Sequence, residues 1–462
     1  MKGFFRQNIS AAPKIAYAYV KRKEDPAMLT AEENDFLTQT GPDTPMGQYF
    51  RRFWQPVALS EELPERDGPP KKVTVMGEEL VLFRDTEGRV GLLDRRCPHR
   101  GADLYYGRNE ECGLRCVYHG WKFDVEGKGV DLANVPPGVR MHEEMRVLAY
   151  PTQEAGEMIW AYMGPPAEEL PQGKLPELPD FEFIYMDPAK RYVTKQLMEC
   201  NWAQAMEGDL DGAHFSFLHV PAPSVKANHH DFAPVDEKRL NWIRNDPIPR
   251  FDILEHEVGF VVGWERDADG ESYWRMTQFS LPAAGTGPST MPGETYYGFS
   301  LVPVDDISCW MYCYAWNPDR NLGNEEREKL ATVGHGIIAE VDENYMPVRN
   351  RSNDYMIDRE VQKNVSYTGV QGLAEQDIMV QQSQGFIVDR TRETLTQTDG
   401  CVVKFRRMVM EDAKRLADGE EPEAPWRHQE YRRRPGGHFA PKGTPMEDVL
   451  MERFGHNRGA VI

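Results

Sequence analysis

The sequence lacks the features of several large protein classes. It has no apolar run near the roughly 18 residues that a membrane-spanning helix needs, and its mean hydropathy is −0.62. It is also short of basic residues, because 54 Lys and Arg stand against 74 Asp and Glu and leave a formal net charge of −20. An acidic surface repels phosphate backbones. These features argue against a membrane protein and against nucleic acid as a partner.

Cysteines are few and odd in number. The seven in 462 residues are Cys97, Cys112, Cys116, Cys200, Cys309, Cys313 and Cys401. A long chain with an odd count does not indicate a disulfide scaffold, so mostly reduced thiols in the cytoplasm are expected. The sequence also lacks a GxGxxG motif after a strand and a second cysteine cluster of the plant-type ferredoxin spacing. A nicotinamide cofactor bound by this chain is therefore not expected.

The remaining composition is that of a globular protein, with 40% hydrophobic and 28% charged residues. Residues 1–27 stand apart because they are basic and have no continuous apolar core. This segment is interpreted as a basic tail or the product of an early start codon; a targeting address or a partner-binding arm is the alternative. Thr30 and Glu33 then fit a capping box, which predicts a short helix over 29–40.

The chain divides by pattern into segments. Residues 1–45 form the tail and the short helix, and from 46 to 163 short alternating strands such as 72–75, 79–83, 147–150 and 158–162 predict a small antiparallel β domain. The stretch 164–180 holds five prolines and predicts a stiff linker. Residues 181–462 form the second domain.

The second domain mixes helices and strands. Helices are predicted at 200–219, 324–344 and 400–417, and strands at 251–264, 273–281, 295–302 and 309–316. Strands followed by helices indicate an α+β domain with an antiparallel sheet. The loop 283–293 is interpreted as either an active-site lid or a surface hairpin.

Two mixed Cys–His pairs form the first chemical constellation. Cys97-Pro98-His99 is followed, after sixteen residues, by Cys116-Val117-Tyr118-His119. Zinc sites more often pair Cys with Cys and His with His, whereas two Cys and two His shared between two irons are typical of a Rieske [2Fe–2S] centre. Glycine after each ligand lets backbone amides approach the cluster, and Trp121 is expected to shield it from water. Cys112 lies outside this pattern and is interpreted as a packed or free thiol.

A second constellation lies between Asn201 and His219. Asp211 and His214 are three residues apart and share a helix face, whereas the five-residue step to His219 indicates a distortion or a helix end. Two His and one carboxylate on one side of an iron leave positions open for dioxygen and substrate. Alone, two His near a helix are more often surface or core residues. Downstream of a Rieske motif, this pattern predicts a mononuclear non-haem iron site.

Taken together, the motifs resemble those of the Rieske non-haem iron oxygenases, in their catalytic (alpha) subunit. "CPHRGADL" and "CVYHGWKF" match the Rieske part, and N-W-x4-E-x3-D-x2-H-x4-H is matched at Asn201, Trp202, Glu207, Asp211, His214 and His219. The opening "LTQTGPDTPMG" looks most like the phthalate dioxygenase-like branch, which also contains aryl O-demethylases. The resemblance implies an N-terminal Rieske β-sandwich joined to a helix-grip (START-like) catalytic domain.

The resemblance also implies a third iron ligand in the C-terminal third, before an apolar helical stretch. Asp354, Asp358, Asp377 and Asp389 are the candidates, and Asp377 fits this context. Asp389 is interpreted as an ion-pair residue. The expected metal ligands are therefore His214, His219 and Asp377 for Fe(II), with Cys97, His99, Cys116 and His119 for the [2Fe–2S] cluster.

In this family, electrons from a separate reductase enter the cluster and pass to the iron of a neighbouring subunit in a head-to-tail trimer. By resemblance, Asp211 bridges His119 of one subunit to His214 of the next; the alternative is that Asp211 only supports His214. The homotrimer, or a multiple of it, uses O2 and draws on NAD(P)H only indirectly, through the reductase.

The resemblance implies a terminal oxygenase that hydroxylates or O-demethylates an aromatic substrate with a carboxylate or methoxy group. A cis-dihydroxylating, phthalate-type dioxygenase is the alternative. An aromatic carboxylate needs a buried cation, with Arg as its bidentate partner. Arg244, Arg250, Arg266 and Arg275 lie in the region of the pocket but are each interpreted as solvated surface residues, and His229-His230 as an entrance or plain loop. A Rieske electron carrier and a zinc-stabilised binding protein are the competing classes.

Overall fold

The computed structural model describes residues 29–136, 138–221, 237–287, 290–332 and 335–455. Within them the chain combines helices with four sheets whose strands pair antiparallel. This confirms the predicted α+β class. In the described part, no helix is long and apolar enough to cross a bilayer. The basic residues 1–27 and the pair His229-His230 lie outside the described residues.

The first helix of the described residues is one that the sequence predicts. The α-helices are α1 (Ala31–Thr38), α2 (Pro45–Phe50), α3 (Met141–Glu144), α4 (Trp202–Leu210), α5 (Glu237–Asn245), α6 (Asn324–Thr332), α7 (Arg359–Asn364), α8 (Leu373–Ser383), α9 (Gly400–Ala417) and α10 (Met446–Phe454). At the start of α1, the Glu33 amide donates to Thr30 Oγ1 and the Thr30 amide donates to the Glu33 carboxylate. The capping box is therefore present.

Short strands come first along the chain and long strands later. The strands are β1 (Trp54–Leu59), β2 (Lys71–Val75), β3 (Glu78–Arg84), β4 (Val90–Asp94), β5 (Arg108–Glu110), β6 (Gly113–Arg115), β7 (Trp121–Phe123), β8 (Gly129–Leu132), β9 (Ala149–Tyr150), β10 (Thr152–Ala155), β11 (Met158–Tyr162), β12 (Arg191–Met198), β13 (Arg250–His256), β14 (Gly259–Ala268), β15 (Glu271–Ser280), β16 (Ala284–Thr286), β17 (Tyr296–Pro303), β18 (Cys309–Trp316) and β19 (Gly436–Pro441).

The first eleven strands form three small sheets. Their orders are β1-β11-β10, β2-β3-β4-β9 and β5-β6-β7-β8. The third sheet and the loop after β4 enclose their own apolar core, which includes Cys97, Cys116 and Trp121. The two Cys–His motifs therefore share one small β unit, as the sequence predicts.

The later strands form one eight-stranded antiparallel sheet. Its order is β12-β18-β17-β16-β15-β14-β13, and β19 pairs with β15. Helix α4 packs against α8 and α9 and against strands β16 and β17. Helix α8, which carries Asp377, and helix α4, whose end leads into the segment with His214 and His219, are therefore held together at this sheet.

Three predicted elements differ from the structure. The helix predicted over 200–219 ends at Leu210, and the helix predicted over 324–344 ends at Thr332, ahead of Gly336, whose φ is +62°. The single strand predicted over 251–264 is a hairpin, in which two residues separate β13 from β14. Local turns, which hydrophobic patterning does not register, interrupt all three segments.

Two residues of the iron motif serve the core. Trp202 is fully buried between Phe50 and Phe405, at centroid distances of 4.7 and 5.8 Å with nearly perpendicular rings. The Asn201 side chain accepts from the Ala203 amide and donates to the Thr38 carbonyl, at 3.0 and 2.9 Å. The start of α4 is thereby tied to α1 and α9.

Candidate functional site: two metal centres and a cavity

Two loops of the small β unit have the same backbone turn. In the first, the Gly101 amide donates to the Cys97 carbonyl at 2.8 Å; in the second, the Gly120 amide donates to the Cys116 carbonyl at 3.0 Å. Both glycines have a left-handed φ, of +72° and +76°, which residues with a side chain rarely adopt. Each turn thus places a cysteine and a histidine at one point of the unit.

The four predicted cluster ligands come together between these loops. The His99 and His119 rings lie 4.4 Å apart between centroids, and the two cysteines are buried. Burial, together with the neighbouring Cys116 sulfur, raises the pKa of the Cys97 thiol to about 11, although the amides of His99 and Arg100 oppose the rise. Two adjacent buried sulfurs with amides directed at them suit the terminal thiolate ligands of an iron–sulfur cluster.

Neighbouring side chains fix the second loop. Trp121 stacks on the His99 ring at 4.4 Å, and its indole N–H donates to Asn134 Oδ1 at 2.6 Å. Arg115 donates to the Gly120 carbonyl at 2.7 Å. The predicted shielding role of Trp121 is thus accompanied by a direct contact with a candidate ligand.

The second centre begins where α4 ends. The Asp211 carboxylate accepts from the Ala213 amide at 2.7 Å and from the His214 amide at 3.3 Å. This turn replaces the next turn of the helix, because the Asp side chain satisfies amides that would otherwise donate along the helix. His214 then opens a short 3-10 turn that ends at Ser216.

His214, His219 and Asp377 converge at this point. Their ligand atoms all lie within 4.8 Å of one another. Asp377 Oδ1, on α8, is 3.2 Å from His219 Nε2 and 3.7 Å from His214 Nε2. Both Nε2 atoms are buried and have no hydrogen-bond partner. Asp354, Asp358 and Asp389 are not part of this group. Asp389 caps a turn through the Thr391 amide, and its pKa is lowered by hydrogen bonds from Thr391 and by the charge of Arg392.

The Nδ1 atoms of His214 and His219 each lie near an acceptor, which explains why the three side chains suit a cation. His219 Nδ1 lies 2.8 Å from Gln376 Oε1, while the amide nitrogen of Gln376 donates to the Val370 carbonyl at 2.9 Å. His214 Nδ1 lies 3.4 Å from Asp211 Oδ2. Acceptors at both Nδ1 atoms place the protons there, so each Nε2 directs a lone pair toward Asp377. Three lone-pair donors that face one another need a metal ion between them.

A cavity opens beside these ligands. It has about 520 Å³ of space between protein atoms, with its open mouth included. Its apolar lining consists of Phe215, Trp264, Phe299, Ile337 and Leu373, and two hydroxyls, of Thr277 and Thr286, interrupt that lining. The ionisable side chains of the lining are Asp209, Asp211, His214, Arg275 and Asp377. Apolar walls with convergent polar groups are typical of a small-molecule site.

Two arginines predicted to be solvated are buried at this cavity. Arg275 lines it and is only 5% exposed, and its guanidinium carbon lies 3.7 Å from the Phe215 ring centroid. Arg266 is fully buried and donates to the Gly212 carbonyl at 2.6 Å, which braces the turn before His214. Strand alternation decides which face a residue occupies, and sequence alone left that choice open. The surface interpretation holds for Arg250, which is exposed.

Glu207 is the remaining residue of the iron motif. Its buried carboxylate accepts from Arg390, at 2.9 and 3.0 Å, and from Arg406 at 2.7 Å. Burial alone would raise the pKa of Glu207, but the two guanidinium groups hold it below the usual value. This charge cluster ties the last turn of α4 to α9, and no sequence motif indicates these partners.

Two family models match the chain. The model of the Rieske [2Fe-2S] domain matches residues 53–147, and the model described as "LigXa C-terminal domain like" matches residues 161–426. The first covers both Cys–His motifs, and the second covers His214, His219 and Asp377.

Relatives and solved structures agree with these matches. The chain is 38% identical to the phthalate 4,5-dioxygenase oxygenase subunit of Pseudomonas putida, over 85% of this chain and 88% of the relative. It is 32% identical to the 5,5'-dehydrodivanillate O-demethylase oxygenase subunit of Sphingobium sp., over 86% and 83%. The crystal structure of dicamba monooxygenase bound to dicamba has a TM-score of 0.54 at 20% identity, over 81% of this chain and all of that one. At 20% identity, the likeness to dicamba monooxygenase shows a shared fold alone.

Proposed function

Because this chain belongs to the Rieske non-haem iron oxygenases, as an oxygenase (alpha) subunit, we propose that it oxygenates an aromatic carboxylate bound by Arg275. It is the oxygenase component of a multicomponent system and works with a separate electron-donating component. The single observation that carries the substrate class is Arg275, a buried guanidinium in the cavity beside His214 and Asp377.

Arg275 has the properties of a binding cation. Its Nε atom is buried without an acceptor, and in the described part of the chain no carboxylate forms an ion pair with it. Burial lowers the pKa of Arg275, which reflects the cost of holding this charge away from water. A carboxylate is the natural bidentate partner that would offset the cost.

The cavity walls fit a flat ring attached to that carboxylate. Trp264, Phe299 and Leu373 offer apolar surface, and Thr277, two residues from Arg275 on β15, offers a hydroxyl. Three relatives are named for phthalate, 3-chlorobenzoate and phenoxybenzoate, which are all aromatic carboxylates. These names support the same class for this chain.

We assign the ligands as the sequence predicts. Cys97, Cys116 and the two histidines His99 and His119 would hold the [2Fe–2S] cluster. His214, His219 and Asp377 hold the mononuclear Fe(II). When bound, this iron supplies the activation of dioxygen, with electrons that reach it from the cluster.

The protein's own groups prepare that chemistry. Asp211 and Gln376 keep the protons of His214 and His219 on Nδ1, so both Nε2 atoms stay available. Phe215 and Trp264 exclude water from the cavity, which strengthens the attraction between Arg275 and a bound carboxylate.

We further propose that electrons pass between subunits of a head-to-tail homotrimer and that Asp211 bridges His119 of one subunit to His214 of the next. The Asp211 side chain is 27% exposed beside His214, so one face is free to meet another subunit. Exposed aromatic residues lie near both centres, Tyr118 beside His119 and Phe217 in the loop between the iron histidines. The same proposal includes domain boundaries at residues 46, 164 and 181 and a cytoplasmic location. It also includes a reductase that takes its electrons from NAD(P)H.

Substrate selection by Arg275 is tested with the holoenzyme and a surrogate reductase. Benzoate, phthalate and methoxybenzoates are compared with the same rings lacking the carboxylate. Arg275→Met is expected to lower kcat/KM for carboxylates by about 30- to 1000-fold, the effect of losing a buried ion pair worth about 2–4 kcal/mol. Arg250→Met, which removes an exposed cation from strand β13, is the control.

Products separate the two reaction types. Formaldehyde from a methoxybenzoate shows O-demethylation, whereas a product that retains both atoms of labelled dioxygen shows cis-dihydroxylation. Equal turnover of uncharged and carboxylated rings, or an Arg275→Met variant as active as the wild type on carboxylates, would contradict the proposed substrate class.

A further inference from the structure

We propose that Gln376 is a positioning residue for the mononuclear site: it selects the tautomer of His219 and, as a neutral amide, adds no further negative charge behind that ligand. The inference rests on the proposed metal site formed by His214, His219 and Asp377. It concerns a residue outside the motif that the sequence identifies.

The two ends of the Gln376 side chain have different partners. Its amide nitrogen donates to the Val370 carbonyl at 2.9 Å. Its oxygen therefore faces His219 Nδ1, at 2.8 Å, and only an N–H on that nitrogen makes the contact favourable. Because both Gln376 and His219 are buried, water does not supply an alternative donor or acceptor. The amide thus selects the His219 tautomer whose Nε2 is free for a metal.

The other histidine has a different kind of support. His214 Nδ1 faces the Asp211 carboxylate, at 3.4 Å, whereas His219 Nδ1 faces a neutral amide. A carboxylate behind a ligating imidazole makes it a stronger ligand and also adds a negative charge. The site is therefore asymmetric, with one charged and one neutral support.

The difference between the two supports affects the net charge around the metal site. Asp377 and Asp211 together balance the two positive charges of a divalent ion. A glutamate at position 376 would add a further negative charge behind His219, near the cavity that Asp209 and Asp377 already line and in which Arg275 must attract an anionic substrate. We infer that the neutral amide maintains metal geometry without opposing the carboxylate of the substrate.

The test compares two substitutions that divide the functions of the amide. Gln376→Leu removes both hydrogen bonds. Gln376→Glu keeps an oxygen acceptor for His219 but removes the amide donor to Val370. A residue that only braces Val370 would be damaged by both changes, whereas a residue that positions His219 would be rescued by Glu.

The readout is Co(II) binding to holoenzyme that keeps its [2Fe–2S] cluster after a mild chelator has removed the mononuclear metal. Gln376→Leu is expected to bind Co(II) about 10- to 100-fold more weakly. Gln376→Glu is expected to bind Co(II) at least as tightly as the wild type, with a shifted Co(II) d–d spectrum, and to have a raised KM for the carboxylate substrate. Gln382→Leu is the matched control, because Gln382 is also buried on α8 but accepts from Tyr355.

Equal Co(II) affinity in all variants, or equal weakening by Leu and Glu, would overturn the inference. Both outcomes leave the proposed metal site in place, provided that the wild type binds Co(II). A wild type that binds no Co(II), with His219→Ala behaving identically, would instead contradict the proposed site itself.

Discussion

At the scale of single residues, the iron site depends on close packing behind His214. The turn from Asp211 to His214 passes the Trp264 ring at Gly212, where a Cβ would come within 2.3–2.5 Å of three ring atoms. Real Cβ atoms do not approach this closely, and Trp264 is itself only 2% exposed. Arg266 holds the Gly212 carbonyl from the other side. A glycine is therefore required here by space.

Gly212→Ala should displace His214 and weaken the mononuclear site. Overpacking of about 1–3 kcal/mol corresponds to a roughly 5- to 150-fold loss of metal affinity. Iron and acid-labile sulfide per chain are the measurement: about three irons and two sulfides are expected for the wild type, and two of each for the variant. Gly323→Ala, where nothing lies within 4 Å of the added Cβ, should keep the third iron. A Gly212→Ala protein with three irons would contradict the packing argument.

At the scale of elements, the end of helix α4 is fixed by charges that come from distant parts of the chain. Glu207 lies one turn before Asp211, and its carboxylate joins Arg390 and Arg406, both nearly inaccessible to water. Asn34 accepts from Arg390 at 2.9 Å, which links α1 to the same cluster. The position of Asp211 thus depends on contacts more than 180 residues away in sequence.

Glu207→Gln should destabilise the protein by about 3–5 kcal/mol at neutral pH, because it leaves two buried guanidinium groups with less negative charge. The pKa of Glu207 is lowered in the folded protein, so its contribution is present above the unfolded pKa and is lost as pH falls through the folded value. The difference between variant and wild type should therefore shrink below about pH 4. Denaturation midpoints across this pH range measure it.

Glu255→Gln is the matched control, because Glu255 also pairs with a cation on α9, Lys404, but is 62% exposed. Surface pairs contribute about 1 kcal/mol or less. Equal effects of the two substitutions would show that the Glu207 cluster contributes no more to stability than a surface ion pair.

At the scale of the whole molecule, the sequence predicts the two centres well and their surroundings poorly. The turns around Cys97 and Cys116 follow from motifs whose spacing reflects the ligand geometry itself, whereas Asp377 is predicted only through the family resemblance. Arg275 was interpreted as solvated, because a period of two assigns residues to alternate faces of a strand without identifying the buried face. Gln376 was missed for a related reason, since its partners Val370 and His219 meet it only after α4 and α8 have packed together. Long-range packing therefore determines specificity, while local motifs determine the chemistry.

Electron transfer between subunits makes the strongest whole-molecule prediction. His214→Ala lacks the mononuclear iron but keeps the cluster, and His119→Ala lacks a working cluster but keeps the mononuclear iron. Each variant alone should be inactive. In a head-to-tail ring assembled at random from equal amounts of both, about one interface in four pairs an intact cluster with an intact iron.

Co-expressed variants should therefore recover about one quarter of wild-type turnover per interface, measured with the surrogate reductase and a carboxylate substrate. Mixtures of separately purified, non-exchanging oligomers should stay inactive and form the control. Transfer within one chain would leave the co-expressed sample inactive as well, because no chain in it then holds both centres. Since Asp211 is proposed to bridge the two subunits at the productive interface, adding Asp211→Ala to the His119→Ala chain should abolish the recovery, whereas adding it to the His214→Ala chain should not.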